Sequence, residues 1–515
     1  MKKILKKEYL ILILVFITIF SIIIMTPLGD LDELWNYNFA KQIAEGNLPY
    51  KDFSIIVTPL ASFVSAIFLK LLGNQLIVMR FVAALLFTGI FFSTYKIFFK
   101  LMKSKKISFI FTSIIGLMFV ENFRIDYNFF AVFLILIALN LEMNLIKDYS
   151  KVNLVDLKDK KWTNIFIGIL VSLVFLSKQS IGVIAIGISL IYPIILITKK
   201  EEIKDVLKII GIRILGVIIP LAIFLIYILA NNLLNDFISY AILGISTFSN
   251  AITYKDLLEN QELHIQILGV ILPLIILFSL IYLISNIIRK KDRNVIFTIF
   301  MYSLIPVILM FPITDEVHFL AGGYILFILL SYYIYLGLRW VYRNLEINDS
   351  MKNKILTFTK YLFSMALILY FIYIASINIY SFYANENVNY EIERYKGIII
   401  DEDLRNTIKE IDSYLLEKKE QGVKIYILDA NAAAYKIPLD MYEKNYDMFL
   451  NGNFGRYGNK KIIYDIENKR NTENAVFLIR KDSLEYNWQT PMEIINYVKK
   501  NYELQGEITI YDIYS

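Results

Sequence analysis

The sequence predicts a mainly α, polytopic membrane protein with about eleven spanning helices and a C-terminal extracytoplasmic α/β domain. Three observations carry this. Of 515 residues, 57% are hydrophobic and only 19% charged, far from the soluble average. The apolar residues come in runs of roughly 20, the length that crosses a bilayer. The last stretch loses those runs and alternates strand-like with helix-like patterns. The chain has no cysteine and two histidines, His264 and His318, which excludes a disulfide framework, a thiolate metal site and a His-rich metal centre. The net charge of +6 does not point to nucleic acid, because the basic residues lie in loops on one side of the membrane.

The first run, Tyr9 to Pro27, follows Lys2, Lys3, Lys6 and Lys7 and lacks a small-residue cleavage site. It reads as an uncleaved anchor with a cytoplasmic N-terminus. Ile55 to Leu72 and Leu76 to Phe99 cannot both be ordinary spans. If both crossed, Lys96, Lys100, Lys103, Lys105 and Lys106 would face outward, against the positive-inside bias. Ile55 to Leu72, which holds Thr58-Pro59, Ser62, Ser65 and Lys70, is therefore expected as an interfacial or re-entrant helix, and Leu76 to Phe99 runs inward. Ile107 to Val120 then goes out, and Tyr127 to Ile146 returns to Lys147, Lys151, Lys158, Lys160 and Lys161. Ile165 to Ser177 goes out, and Ile181 to Ile197 returns to Lys199, Lys200, Lys204 and Lys208. Ile209 to Ala230 goes out, and Ile265 to Ile288 returns to Arg289, Lys290, Lys291 and Arg293. Val295 to Phe311 goes out, Leu320 to Leu336 returns to Arg339, Arg343, Lys352 and Lys354, and Leu356 to Tyr380 leaves again.

The chain is thus expected as a membrane domain over residues 1–380, with its first outer loop at 28–75, and an extracytoplasmic domain over 381–515. The second domain holds an amphipathic run from Asp401 to Gly422, strand-like runs at Val423 to Leu428 and Ala475 to Ile479, turn residues from Asn451 to Gly455, a helix over Pro491 to Tyr502 and a closing strand over Glu507 to Tyr514. At roughly 135 residues it is large enough to fold alone.

The topology rests on loop lysines and arginines alone, yet it gathers other polar residues on the outer face. These are Asp30, Asp32 and Glu33 after the first span, and Glu121, Arg124 and Asp126 at a turn. Lys178 and Gln179 lie in a short apolar hairpin, and Asp315, Glu316 and His318 follow Pro312. Each has a structural reading: acids suit a helix N-terminus, Arg124 and Asp126 suit an interfacial ion pair worth about 1 kcal/mol or less, and a lone histidine suits a satisfied polar position. Lys178 has little room to snorkel. The convergence on one face makes the set a candidate site. Carboxylates there suit a general base acting on an acceptor hydroxyl, and cations suit a bound or departing phosphate. No Gly-rich phosphate loop is present, so the chemistry points to a lipid-linked phosphate donor.

Asp32-Glu33 followed by Tyr37, Ala40, Ile43, Gly46, Pro49-Tyr50, Thr58-Pro59-Leu60, Gly73 and Arg80 resembles the first outer loop of bacterial GT-C-fold glycosyltransferases, relatives of protein O-mannosyltransferase and aminoarabinose transferase. The resemblance covers roughly the first 180 residues, and the remainder only by architecture. Asp126 in Asp126-Tyr127-Asn128 matches the family's second acidic position. Thr58-Pro59 departs from the family's Pro-Pro, and Asp30 adds a carboxylate, so either Asp30 or Asp32 is the base; Asp32 is preferred because Glu33 follows it. The resemblance implies transfer of a sugar, with inversion, from a polyprenyl-phosphate donor to an extracytoplasmic acceptor (a cell-envelope lipid, glycan or protein). Asp32 would activate the acceptor hydroxyl, with Glu33 and Asp126 orienting it. Lys178, Arg124 and Arg80 would hold the phosphate, and Gln179, Asp315 and His318 the sugar. Asp32 and Asp126 would be the ligands of a divalent metal, magnesium or manganese, if one is used. A transporter or flippase for lipid-linked glycans is the alternative. It would use the cations without a base, but the spans lack the pseudo-symmetry common in transporters.

Overall fold

The computed structural model describes the chain except residues 1, 30, 146–159, 196–202, 245–251, 289–293, 347, 437–438, 470–473 and 483–489. Asp30, Lys147, Lys151, Lys158, Lys199, Lys200, Arg289, Lys290, Lys291 and Arg293 lie outside the described residues.

Seven helices among the described residues are long and apolar enough to cross a membrane. They lie in α1 (Lys2–Met25), α4 (Leu76–Met102), α6 (Tyr127–Leu145), α9 (Ile203–Ala230), α10 (Leu263–Ile288), α12 (Glu316–Asn344) and α13 (Asp349–Ala384). The four other runs expected to span form shorter helices: α5 (Lys105–Leu117), α7 (Lys161–Ser177), α8 (Gln179–Ile195) and α11 (Asn294–Val307). At 17 residues each, α7 and α8 reach roughly 26 Å. Between α1 and α4 lie α2 (Asp32–Glu45) and α3 (Leu60–Leu72). With 13 residues, α3 is about 20 Å long, too short to span.

The helices are positioned by close approaches as much as by apolar burial. A methyl added at Gly168 of α7 would lie 2.2 Å from the Arg213 carbonyl oxygen of α9, and one at Gly216 would lie 2.2 Å from the Ile165 oxygen. Two glycines thus let these backbones touch. A Cβ at Gly182 would lie 2.0 Å from Phe175 Cα, so the α7–α8 hairpin closes tightly, with Lys178 at its tip. Along α6, Phe129, Ala131, Val132, Ile135, Leu136, Ala138 and Leu139 are fully buried, which makes this helix the apolar centre of the bundle.

After α13 the chain builds a small domain. Helix α14 (Glu402–Glu420) is capped by Asp401, whose Oδ1 accepts from Leu404 N at 2.8 Å, and buries Ile408, Ile411 and Leu415 at helical spacing. Strands β1 (Lys424–Leu428), β2 (Ala475–Arg480), β3 (Leu504–Ile508) and β4 (Tyr511–Tyr514) form a sheet in the order β1-β2-β4-β3. β1 and β2 are parallel with Ile425 opposite Val476, while β4 runs antiparallel to both neighbours, with Tyr514 opposite Phe477 and Tyr511 opposite Ile508. Helices α15 (Gly458–Lys469) and α16 (Met492–Asn501) complete the domain. The single closing strand expected over Glu507 to Tyr514 is instead part of a hairpin, because the chain reverses at Thr509, whose φ is +44°. The domain rests on α2 and the first loop: Leu28 N donates to Ile399 O at 2.9 Å, and Asn453 Nδ2 to Ser54 Oγ at 3.1 Å.

Candidate active site

Four helix starts meet on the domain-bearing face of the bundle, and each delivers an ionisable group. Asp32 opens α2, with Glu33 beside it in the first turn, where negative charge suits the helix dipole. Gly46, at φ +100°, ends that helix in the left-handed conformation glycine adopts without strain. Asp126 caps α6: its Oδ1 accepts from Asn128 N at 2.5 Å and Phe129 N at 3.3 Å. Asp315 caps α12, with Oδ1 accepting from His318 N at 2.8 Å and 2.7 Å from His318 Nδ1. Lys178 sits in the break between α7 and α8. Capping explains why carboxylates stand at these positions, and the tertiary fold brings the caps together.

Electrostatics confirms the convergence. Burial, opposed by Arg124 and reinforced by Asp126, pushes the Asp32 carboxyl up to about 6, with His318 and Asp315 also acting on it. Burial draws the Lys178 ammonium down to about 8 against the pull of Asp126, Asp315 and Asp32. Burial would raise Asp315, but His318 and its hydrogen bonds, with Arg124, more than offset this and hold it below the usual carboxylate range. The groups are therefore close enough to sense one another.

Their contacts divide the expected site residues in two. Asp32 meets Arg124 at only 3.5 Å, both side chains about a third exposed. Lys178 Nζ donates to Asn128 Oδ1 at 2.9 Å and lies 5.2 Å from the Tyr127 ring centroid. Arg124 Nε and Asn128 Nδ2 are buried and find no partner among the described residues. Glu33 and Arg80, by contrast, are bound to each other. Arg80 Nε donates to Glu33 Oε1 at 2.8 Å and Nη2 to Oε2 at 3.1 Å, while Nη1 and Nη2 also reach the carbonyls of Thr26 (2.6 Å) and Pro27 (2.9 Å). This buried fork ties α2 to the end of α1. The Gln179 amide nitrogen donates to Ile56 O at 2.9 Å and Ala241 O at 2.7 Å, which anchors the first loop against the α7–α8 turn.

Among the described residues no set of three acidic or histidine side chains is arranged to hold a metal ion. Asp126 and Asp315 each use Oδ1 for helix capping.

Asn128 was not a candidate from sequence. Its link to Lys178 joins residues 50 positions apart, and nothing local announces it. An apolar cavity of about 310 Å³ lies between α1, α4, α5 and α13, lined by Ile19, Phe91, Gly116, Phe123, Phe371 and Asn378 among others. Phe123 is the neighbour of Arg124.

This architecture is the GT-C fold, a polytopic helical membrane domain with its polar cluster at the first loop and a small domain above it. No family model matches the chain and no curated protein matches it by sequence, but solved structures do. ArnT from Cupriavidus metallidurans bound to undecaprenyl phosphate is similar over 99% of this chain and 98% of its own, with TM-score 0.56 at 9% identity. The same protein in the apo state gives TM-score 0.53 over the same shares. The Archaeoglobus fulgidus oligosaccharyltransferase in the apo form matches 91% of this chain and 69% of its own, with TM-score 0.50 at 11% identity. At these identities the likeness is one of fold.

Proposed function

We propose that the protein is a membrane glycosyltransferase that moves a sugar from a polyprenyl-phosphate donor to a hydroxyl-bearing acceptor on the extracytoplasmic side. The observation that carries this reading is the half-open cluster itself: a raised, loosely paired carboxylate on the face where, among the described residues, buried donors of Arg124 and Asn128 are unpartnered. In this mechanism Asp32 takes the proton of the acceptor hydroxyl. The acceptor oxygen attacks the anomeric carbon, the bond to the phosphate oxygen breaks, and the lipid phosphate leaves with inversion. Lys178, Arg124 and Asn128 Nδ2 hold that phosphate, helped by the positive ends of the converging helices. The isoprenoid tail enters the apolar cavity that Phe123 helps to line. Asp315 and His318 bind sugar hydroxyls, and Asp126 orients the acceptor. Glu33, Arg80 and Gln179 hold the framework.

The fold of ArnT, solved with undecaprenyl phosphate, supports a lipid-phosphate partner. The basic residues at the opposite face, among them Lys103, Lys105, Lys106, Arg339 and Arg343, support a cytoplasmic assignment for that face and an outer one for the C-terminal domain. The test is transfer of label from radiolabelled polyprenyl-phosphate sugars in native membranes, comparing wild type with Asp32→Asn at matched amounts. Label reaching an acceptor in wild type but not in the variant supports the reading. Equal transfer by both contradicts it, and movement of the lipid-linked sugar across the bilayer without transfer would favour a flippase.

A further inference from the structure

We propose that Asn431, in the loop after β1, is a positioning residue for Asp32, so that the C-terminal domain completes the site; this rests on the transferase reading above. The residue just before Asp32, Leu31, has φ +40° and ψ −99°, a backbone conformation that a side-chain-bearing residue holds only when its surroundings impose it. What imposes it comes from 400 residues away. Leu31 N donates to Asn431 Oδ1 at 2.8 Å, and one turn on, the buried Trp35 Nε1 donates to Ala430 O at 2.8 Å. The two bonds bracket Asp32.

The loop that makes them is itself fixed to three strands. Asn431 N donates to Asp429 Oδ1 at 3.0 Å, and Asp429 Oδ2 accepts from Tyr511 Oη of β4 at 2.6 Å and from Arg480 Nη1 of β2 at 3.2 Å. Asp429 directly follows β1. A rigid path therefore runs from the sheet through Asp429 and Asn431 to the backbone of Leu31. On the other side of Asp32, Glu33 is locked to Arg80 and to Gly29 N at 2.9 Å. Asp32 is thus a loosely paired carboxylate between two tightly held neighbours, the arrangement that fixes a reacting group without neutralising it. The domain does not depend on this contact to stay docked. Lys41 Nζ to Asp440 Oδ1 at 3.2 Å, Gln42 Nε2 to Asp447 Oδ2 at 3.1 Å and Tyr240 Oη to Asn445 Oδ1 at 2.7 Å hold it elsewhere.

The test has two arms in the purified full-length protein. In the first, Asn431→Ala should lower kcat roughly tenfold to a hundredfold with the donor KM within about twofold, and Asn431→Asp, which keeps the acceptor oxygen, should restore most of it. The second arm needs no activity. The chain contains no cysteine, so Asp32→Cys supplies a single thiol at the site. Its maleimide labelling rate should change several-fold when Asn431→Ala is added and return with Asn431→Asp. An unchanged kcat in Asn431→Ala while wild type transfers sugar, or an unchanged labelling rate, overturns the proposal. A wild type inactive with every donor strikes the transferase reading instead, and the labelling arm still decides whether Asn431 sets the position of residue 32.

Discussion

Two polar clusters lie along α6, about 24 Å apart by helix rise between residues 126 and 142, and they are built to opposite rules. The cluster near the end away from the C-terminal domain is closed. Glu142 Oε1 accepts from Arg213 Nη2 at 2.7 Å, and both side chains are fully buried. Arg213 Nε reaches Asn164 Oδ1 at 3.0 Å, Nη1 reaches Ser189 O at 2.7 Å, and Tyr302 Oη donates to Glu142 Oε2 at 3.0 Å. Opposite charges cancel and the main hydrogen-bonding directions are used, as burial inside a membrane requires. The cluster on the domain-bearing face is open. Its carboxylate and guanidinium stand 3.5 Å apart and partly exposed, and buried donors on Arg124 and Asn128 are unpartnered among the described residues. The same residue types serve as structure where opposite charges are paired and hydrogen-bonded, and as a site where the pairing is loose.

The contrast can be broken or sharpened by substitution. The largest effect is expected from Asp32→Asn, which should lower sugar transfer at least roughly a hundredfold without lowering the melting temperature. The reason is a matter of sign: the folded state raises the Asp32 pKa from 3.8 to about 6, so at neutral pH its charge opposes folding, and a neutral amide removes that opposition. Arg213→Ala should do the reverse. It removes the buried counter-charge of Glu142, costs about 3–5 kcal/mol, and should show as reduced folded protein and a lower melting temperature, with transfer per folded molecule retained. The double variant Glu142→Gln with Arg213→Met should recover much of that loss. Lys178→Ala should raise the donor KM roughly tenfold at unchanged stability. The smallest effect concerns pH. A base at about 6 and a phosphate-binding ammonium at about 8 predict that kcat/KM rises with pH through about 6 and falls again through about 8, as a pH series on the free enzyme would read. Lys178→Ala should erase the upper limb only.

Much of this was legible in the sequence because charges are costly beside a membrane. The loop lysines fixed which ends of the helices share a face, and Asp32, Asp126, Lys178 and Asp315 stood out against apolar surroundings. The short helix α3 followed from the same charge argument. Pairing was not legible. Glu33 and Arg80 belong to the site's expected residues, but their mutual fork depends on how α2 crosses α4. Lys178 meets Asn128, and Asn431 meets Leu31, through contacts that only tertiary packing creates. Glu142 and Arg213 did leave a signal, one charge of each sign inside apolar runs. Their meeting joins α6 to α9 across 71 positions, and Gly168 and Gly216 let the intervening α7 lie close to α9, which no local pattern states. The hairpin at Thr509 was missed because two short strands with only Thr509 and Ile510 between them look like one strand.

The most direct test of the central claim sets the two clusters against each other in one assay. Asp32→Asn and Glu142→Gln are purified, each is quantified as folded protein, and transfer from a polyprenyl-phosphate sugar is measured per folded molecule. The account predicts a stable, inactive Asp32→Asn and a destabilised Glu142→Gln whose folded fraction transfers sugar at the wild-type rate. An active Asp32→Asn, or a stable and inactive Glu142→Gln, would contradict it by moving the chemistry away from the open cluster.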